Sequence, residues 1–312
     1  MKNKFKIMDG IMIRKIKFFI EYFKYLNNPI AALQFKFGFK KKCIIKIKNK
    51  NLSVELKNVS SIDKLMNLMR TVDEDKCEEL INYIKDIDHE KEIIVIDDIN
   101  YINVYNKKFM KNNPYNFNIC IEEYFSGDEW NMINLENRYI IDIGANIGDT
   151  ALYFAKEKAK VLAFEPVKHL YELGMKNLSL NPEYKENIRF INKGVGGKRG
   201  ELNINSDTTK TYINNADNYS VEVITIKDVL NEYEFPADIL KMDCEGCEFE
   251  IILNEDLTMF TDIIFEHHSK QVGKDYKPLI KKLEEEGFKI NTYDVIASSM
   301  SFEDIGIIHA FK

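Results

Sequence analysis

Carboxylates and imidazoles recur in this 312-residue sequence at points where an apolar run gives out. Asp142 stands within the run Tyr139-Ile140-Ile141-Asp142-Ile143, which opens into Gly144-Ala145-Asn146-Ile147-Gly148 and then Asp149-Thr150. Glu165 and Pro166 end a second apolar run, Asp243 and Glu245 a third, and Glu266, His267 and His268 a fourth. Glycines let a backbone approach a ligand closely, and an acidic residue about 20 positions further on can hold a ribose hydroxyl. Gly144 to Glu165 is 21 positions, so the spacing fits a nucleotide-type cofactor. A neutral imidazole, with an unperturbed pKa of about 6.5, suits removal of a proton from a hydroxyl. His268 is the first choice for that base. His267 stands beside it, and because neighbours on a strand point to opposite faces, one of the two looks into the cleft. Asp243, Glu245 and Glu266 form a carboxylate cluster with two readings. It either holds a divalent cation such as Mg²⁺, which would acidify a bound hydroxyl, or hydrogen-bonds sugar hydroxyls or an ammonium without a metal.

The glycine turn narrows the cofactor. A dinucleotide turn carries three glycines, because a pyrophosphate must sit on bare amides at a helix N-terminus. Here only Gly144 and Gly148 are present, flanked by Asp142 and Asp149, whose charges would repel a pyrophosphate. A cation suits such a turn. S-adenosyl-L-methionine carries an ammonium and a sulfonium and no phosphate, and Asp142, Gly144, Asn146, Gly148, Asp149 and Thr150 are the expected contacts to it. Glu165 and Pro166 are expected at its ribose, and the loop Asn192-Lys193-Gly194-Val195-Gly196, through Gly194, at its adenine. An NAD(P)-dependent oxidoreductase on the same kind of sheet is the alternative, disfavoured by the absent glycine, and a non-catalytic cofactor-binding module is another.

These residues need strands to carry them. Apolar runs predict strands at Tyr139 to Ile143, Lys160 to Phe164, Ile188 to Lys193, Ile239 to Met242, Asp262 to Glu266, Lys289 to Tyr293 and Ile305 to Phe311. Helical periodicity falls between them at about Thr150 to Glu157, Lys168 to Leu180, Ile226 to Tyr233, Cys247 to Leu253 and Tyr276 to Glu286. Alternation of this kind implies an α/β fold with a parallel, doubly wound sheet. Two further short strands, Glu201 to Asn205 and Val221 to Thr225, interrupt the order. Open sheets of this type bind ligands at the carboxyl ends of their strands, where all the acidic candidates lie.

Three segments together resemble the FkbM family of methyltransferases. They are Asp142-Ile143-Gly144-Ala145-Asn146-Ile147-Gly148-Asp149-Thr150, Leu240-Lys241-Met242-Asp243-Cys244-Glu245-Gly246-Cys247-Glu248, and Phe265-Glu266-His267-His268. The resemblance covers roughly Glu122 to Lys312. It implies a class I methyltransferase (Rossmann-like) fold with a seven-stranded, mostly parallel sheet and methyl transfer from S-adenosyl-L-methionine, usually to a hydroxyl of a sugar, glycan or secondary metabolite. His268 occupies the family's E-x-H position. Cys244-Glu245-Gly246-Cys247 has redox-motif spacing, with Cys247 near a helix N-terminus as in a thioredoxin-type site; small apolar residues fill these two positions in the family pattern, so packing as small hydrophobes is the expectation. Lys241 is expected to be a structural partner for one of the nearby carboxylates.

The rest of the chain divides by charge. Residues 1–50 hold 14 Lys or Arg against Asp9 and Glu21, a balance of +12 that leaves −18 for residues 51–312. Met12, Ile16, Phe19, Ile20, Phe23 and Leu26 recur at helical spacing opposite Arg14, Lys17, Glu21 and Lys24, a basic amphipathic helix suited to docking on the domain or lying on an anionic membrane. A hairpin around Asn49-Lys50-Asn51, helices at about Ser61 to Met69 and Asp73 to Lys85, and a weakly structured Asn100 to Asn118 follow. This reading gives a basic segment at 1–50, a small α+β extension at 51–121 and the catalytic domain at 122–312. No run approaches the roughly 18 apolar residues of a membrane span, no signal peptide is evident, and five cysteines show no framework spacing, so a cytoplasmic, at most membrane-peripheral, protein is expected. Nucleic acid is not expected as a partner, because the cofactor domain is acidic.

Overall fold

The computed structural model of the chain describes residues 19–112, 124–125, 133–204, 219–295 and 301–312. Its centre is a seven-stranded sheet built from β5 (Tyr139–Ile143), β6 (Lys160–Phe164), β7 (Ile188–Ile191), β11 (Ile239–Met242), β12 (Asp262–His267), β13 (Lys289–Asp294) and β14 (Gly306–Phe311). Their order across the sheet is β13-β14-β12-β11-β5-β6-β7. The five strands from β12 to β7 run parallel, whereas β14 lies antiparallel between β12 and β13. This is the expected seven-stranded, mostly parallel α/β sheet, in which β14 alone is reversed and lies between β12 and β13. The order changes direction between β5 and β11, which is where such sheets open a crevice for ligand.

Helices cover both faces, so the central strands are apolar on both sides. Ile140, Val161, Ala163 and Ile239 point to one face and belong to a core that includes Leu152 of α5 (Asp149–Lys156) and Leu170 of α6 (Lys168–Ser179). Ile141, Leu162, Leu240 and Ile263 point to the other, against Val229 of α7 (Ile226–Tyr233), Ile251 of α8 (Cys247–Asn254) and Leu283 of α10 (Lys277–Glu285). Strand geometry alone enforces this alternation. Thr225 starts α7 with a reciprocal cap, its side chain accepting from the Asp228 amide while Asp228 accepts from the Thr225 amide. The short α9 (Ser269–Val272) follows β12 directly. The interrupting strands β9 (Gly200–Ile204) and β10 (Tyr219–Ile224) form a separate small sheet with the two-residue β8 (Gly194–Val195). Gly194 is therefore paired with Val223 and is part of a strand, where the sequence suggested an open loop.

The N-terminal region contains the expected hairpin, β1 (Cys43–Lys46) with β2 (Ser53–Leu56), and α1 (Pro29–Lys36), α2 (Val59–Leu68) and α3 (Cys77–Asp88). The helix α4 (Lys107–Asn112) lies within the Asn100 to Asn118 stretch expected to be loop or weak strand, and ahead of it comes an unassigned second hairpin, β3 (Ile93–Ile96) with β4 (Ile99–Ile102), whose last strand runs into that stretch. The hairpin's turn residues Asp97 and Asp98 both adopt positive φ, a hairpin geometry that an Asp-Asp pair signals far less clearly than Asn-Gly. The β4 backbone is tied to α6: the amides of Asn100 and Ile102 donate to Asn181 and Asn177 side chains at 2.9 Å each. One continuous apolar core joins Tyr22, Ile45 and Ile84 of this region to Leu152 and Val161 of the sheet domain. Residues 19–25 are helical, while the first part of the expected Met12 to Leu26 helix and the boundary at Glu122 lie outside the described residues. Among the described residues no helix is long and apolar enough to cross a membrane.

Candidate active site

The turn after β5 is shaped by its neighbour. Gly144 has φ +77°, and a Cβ there would lie 1.9 Å from the Asp243 carbonyl oxygen, so any side chain would collide with the end of β11. That contact places the glycine turn directly beside the acidic loop. Gly144 and Ala145 donate their amides to Phe164 O at 3.0 Å, which seats the turn on the end of β6. Gly148, at φ +74°, then starts α5.

The first carboxylate does not face a ligand. Asp142 is fully buried, its Oδ1 3.0 Å from Lys241 Nζ and its Oδ2 accepting from Thr150 Oγ1 at 2.8 Å. Lys241 is thus a carboxylate's partner, as expected, though of Asp142. Asp149 is also fully buried, in the first turn of α5. The expectation that these two acids present negative charge at the turn mouth is corrected: both point into the fold, because α5 closes over the end of β5. Thr150, named as a cofactor contact, serves Asp142.

Glu165, buried just past the end of β6, holds the turn at Asn146. Glu165 Oε2 accepts from the Asn146 amide at 2.8 Å and Oε1 from the Val167 amide at 2.7 Å. Burial pushes the Glu165 carboxyl up to about 8, against the opposing pull of these amides and of Lys241. Each carboxylate oxygen retains a second lone-pair site. Asn146 holds positive φ, and its buried Oδ1 has no hydrogen-bond partner. A buried acceptor without a donor is costly, and a cationic group of a cofactor would satisfy it. Asn192 Nδ2 donates to Glu165 O at 2.8 Å and Pro166 O at 3.1 Å, tying the ends of β6 and β7 together next to Gly194.

Across the switch point four carboxylates converge on one ring. His268 Nε2 lies 3.1 Å from Glu266 Oε1, 3.5 Å from Glu245 Oε2 and 3.8 Å from Asp243 Oδ1, while Nδ1 lies 3.3 Å from Glu248 Oε1. Burial would lower the imidazole pKa, but hydrogen bonds to Glu248 and Glu266 and the charges of Asp243 and Glu245 outweigh it and push it up to about 11. The expectation of a neutral imidazole base is therefore corrected. Four carboxylates around one buried ring favour its protonated form. Burial also raises Glu266, reinforced by Asp243 and Glu245 and opposed by His268.

His267, the other candidate, is ruled out of the cleft. It is fully buried on the opposite face of β12, stacked on Tyr276 at 4.6 Å, set edge-on to Phe302 at 5.0 Å, and bonded through Nδ1 to Ser269 Oγ at 2.9 Å. Burial depresses its pKa to about 4. Glu248 is the functional residue that the sequence reading quoted within a motif yet did not place in the site. It is fully buried and accepts from the Gly246 amide at 2.9 Å and the His268 amide at 3.1 Å, so it fixes the loop and the ring together. Its position three residues after Glu245, on the first turn of α8, was the available signal.

The loop from Asp243 to Gly246 reverses sharply, with Glu245 at φ +58° and Gly246 at φ +122°. This turn brings the Cα atoms of Cys244 and Cys247 to 5.5 Å, and the two form a disulfide. The expectation of simple packing is corrected to that extent, although both half-buried cysteines also lie against the second core. Cys43 and Cys77 are buried and free.

Asp243, Glu266 and His268 bring their ligand atoms within 4.8 Å of one another. Mg²⁺ takes oxygen ligands in near-ideal octahedral geometry, whereas here the central donor is the His268 imidazole nitrogen. One imidazole nitrogen and two carboxylates are not the all-oxygen donor set that Mg²⁺ prefers.

Known proteins similar to this chain are methyltransferases. Methyltransferase sdnD from Sordaria araneosa is 27% identical over 176 residues, 43% of this chain and 67% of that protein. Methyltransferase FkbM from Methylobacillus flagellatus KT aligns over 81% of this chain and 59% of its own, at 12% identity and a TM-score of 0.40. Magnesium protoporphyrin IX methyltransferase from Synechocystis PCC 6803, solved with bound S-adenosylmethionine, aligns over 57% and 72% at 15% identity and a TM-score of 0.34. The chain thus spans less than two thirds of the first of these solved structures. A family model, the methyltransferase FkbM domain, matches residues 142–290, from the β5 carboxylate to the start of β13. That match takes in the glycine turn, the acidic loop and the end of β12, and it covers a little under half of the chain.

Proposed function

We propose that the protein is an S-adenosyl-L-methionine-dependent O-methyltransferase acting on a hydroxyl of a sugar, a glycan or glycolipid precursor, or a secondary metabolite. One observation carries the reading: the Gly144 turn packs against the Asp243 carbonyl, so a turn holding an orphaned buried acceptor, Asn146 Oδ1, adjoins a cluster of four carboxylates and one imidazole at a single sheet edge. Bound at the turn, S-adenosylmethionine would supply a methyl group already activated on a sulfonium. The chain then has to hold the donor, align the acceptor and take one proton. Asn146 Oδ1 accepts from the donor's cationic end, and Glu165, held by two backbone amides, offers its remaining lone pairs to ribose hydroxyls. Asp243 and Glu245, the more open members of the cluster, accept hydrogen bonds from acceptor hydroxyls. Glu266 takes the proton, because burial raises its pKa and makes it the stronger carboxylate base, with His268 positioned as a counter-charge. A divalent ion forms no part of this scheme, and activity is expected to survive chelation with EDTA.

The test is calorimetry with S-adenosylmethionine and S-adenosylhomocysteine, followed by methyl transfer from labelled donor to a panel of mono- and oligosaccharides. Binding in the micromolar range is expected; an absence of heat at donor concentrations of about 1 mM, roughly −4 kcal/mol, would overturn the proposal.

A further inference from the structure

The N-terminal helices present apolar side chains on both sides. Tyr22 of the 19–25 helix, Leu26 just after it and Phe35 of α1 are buried in the core. On the outer side Ile20, Phe23, Ile30 and Phe37 are all more than half exposed, Phe39 is 81% exposed, and Ile44 of β1 joins them. Contacts link the elements that carry these side chains. Phe37 stacks on Phe19 at 6.0 Å, linking α1 to the preceding helix. Lys48 Nζ donates to Phe23 O at 3.3 Å and Asn28 Nδ2 to Ile44 O at 2.6 Å, linking the outer row of β1 to the same two helices. Contiguous exposed apolar surface on a chain of this kind marks an interaction site.

Charge identifies the partner. Lys24, Lys40, Lys41, Lys46 and Lys48 are exposed around the patch, and among the described residues none has a carboxylate partner. The acids nearby are already engaged: Glu21 pairs with Arg70, Glu55 with Lys42 and Asp63 with Lys36. The surface therefore combines aromatic and aliphatic side chains with uncompensated positive charge, on a chain whose remainder, residues 51–312, carries −18. An apolar protein surface would match the first property alone. An anionic bilayer matches both, since the apolar groups enter the acyl boundary while the lysines meet headgroup phosphates.

We infer that the face formed by residues 19–48 docks on a bilayer of anionic phospholipid. The inference is independent of the methyl-transfer reading. It is tested by co-sedimentation of the full chain with vesicles of phosphatidylcholine alone or with phosphatidylglycerol added. The full chain binds only the anionic vesicles, and binding weakens as salt is raised. Phe23→Ser/Phe39→Ser and Lys40→Glu/Lys41→Glu, all at exposed positions, keep the parent melting temperature and each lower vesicle affinity at least about tenfold. Failure to bind anionic vesicles overturns the inference, and so does binding that neither pair of substitutions changes. A concentration-dependent dimer that Phe23→Ser/Phe39→Ser dissolves, with vesicle binding intact, assigns the patch to a second copy and also overturns it. Donor calorimetry on the same preparations reports separately on the methyltransferase site.

Discussion

The two ends of one sheet treat charge in opposite ways. At the amino ends of the strands, Arg138 Nε lies 2.9 Å from Asp238, Arg138 Nη2 lies 3.1 Å from Asp262, and His309 Nε2 lies 3.0 Å from Asp262, so two acids are matched by two bases. At the carboxyl ends Asp243, Glu245, Glu248 and Glu266 share the single ring of His268. The first arrangement is self-sufficient and holds strands together. The second leaves net negative charge facing the crevice, a cost to the isolated fold that makes sense where a ligand arrives. Stability and function are therefore expected to separate along the strand direction.

The largest effect should come from Gly144→Ala. Its Cβ would enter the Asp243 carbonyl and hold a disfavoured φ, so a loss of more than about 3 kcal/mol in urea unfolding is expected. Gly287→Ala, with similar φ and open space around it, should cost only about 1 kcal/mol. Equal losses would mean that backbone strain, and not the contact between turn and acidic loop, matters at Gly144.

Next in size is the contrast between edges. Glu266→Gln should lower turnover at least about 100-fold while leaving the melting temperature within a few degrees. Arg138→Met should do the reverse, costing roughly 1–3 kcal/mol of stability with donor affinity unchanged. Comparable activity losses in both would dissolve the distinction between the two ends.

Titration gives a subtler test. The folded pKa of His268 is raised to about 11, so its stabilisation is complete below about 6.5 and is lost as pH rises through 11. NMR should therefore show an imidazolium throughout pH 6–9, and Glu248→Gln should move its titration downward. Glu165 is raised to about 8, so its contribution is present below about 4.5 and is lost as pH rises through 8. Glu165→Gln should flatten the decline of stability across that window. The smallest effect is expected for His267→Phe, which keeps the stack on Tyr276 and loses one hydrogen bond to Ser269, about 1 kcal/mol with turnover unchanged.

Much of this was legible locally. The five central strands and their helices are marked by apolar runs bounded by polar residues, and the strand-end position of each acid follows from where each run stops. The β3–β4 hairpin was missed because Ile93 to Ile96 has no polar alternation and Asp97-Asp98 is a weak turn signal. His267 and His268 could be predicted to diverge, since alternation is a property of any strand, but not in which direction, since that depends on which face packs Tyr276 and Phe302.

What the sequence by itself determined was periodicity and the order of motifs: the α/β plan, the glycine turn and the acidic strand ends. Tertiary structure alone decided how each charge is spent. Asp142 and Lys241, like Glu248 and His268, are distant in sequence and meet because β5 lies beside β11 and β11 beside β12. Strand pairing is a long-range choice, and an ionisable group's state depends on what that choice sets within a few ångströms of it. The same motif residues thus became a buried ion pair at Asp142 and a carboxylate-ringed imidazole at His268.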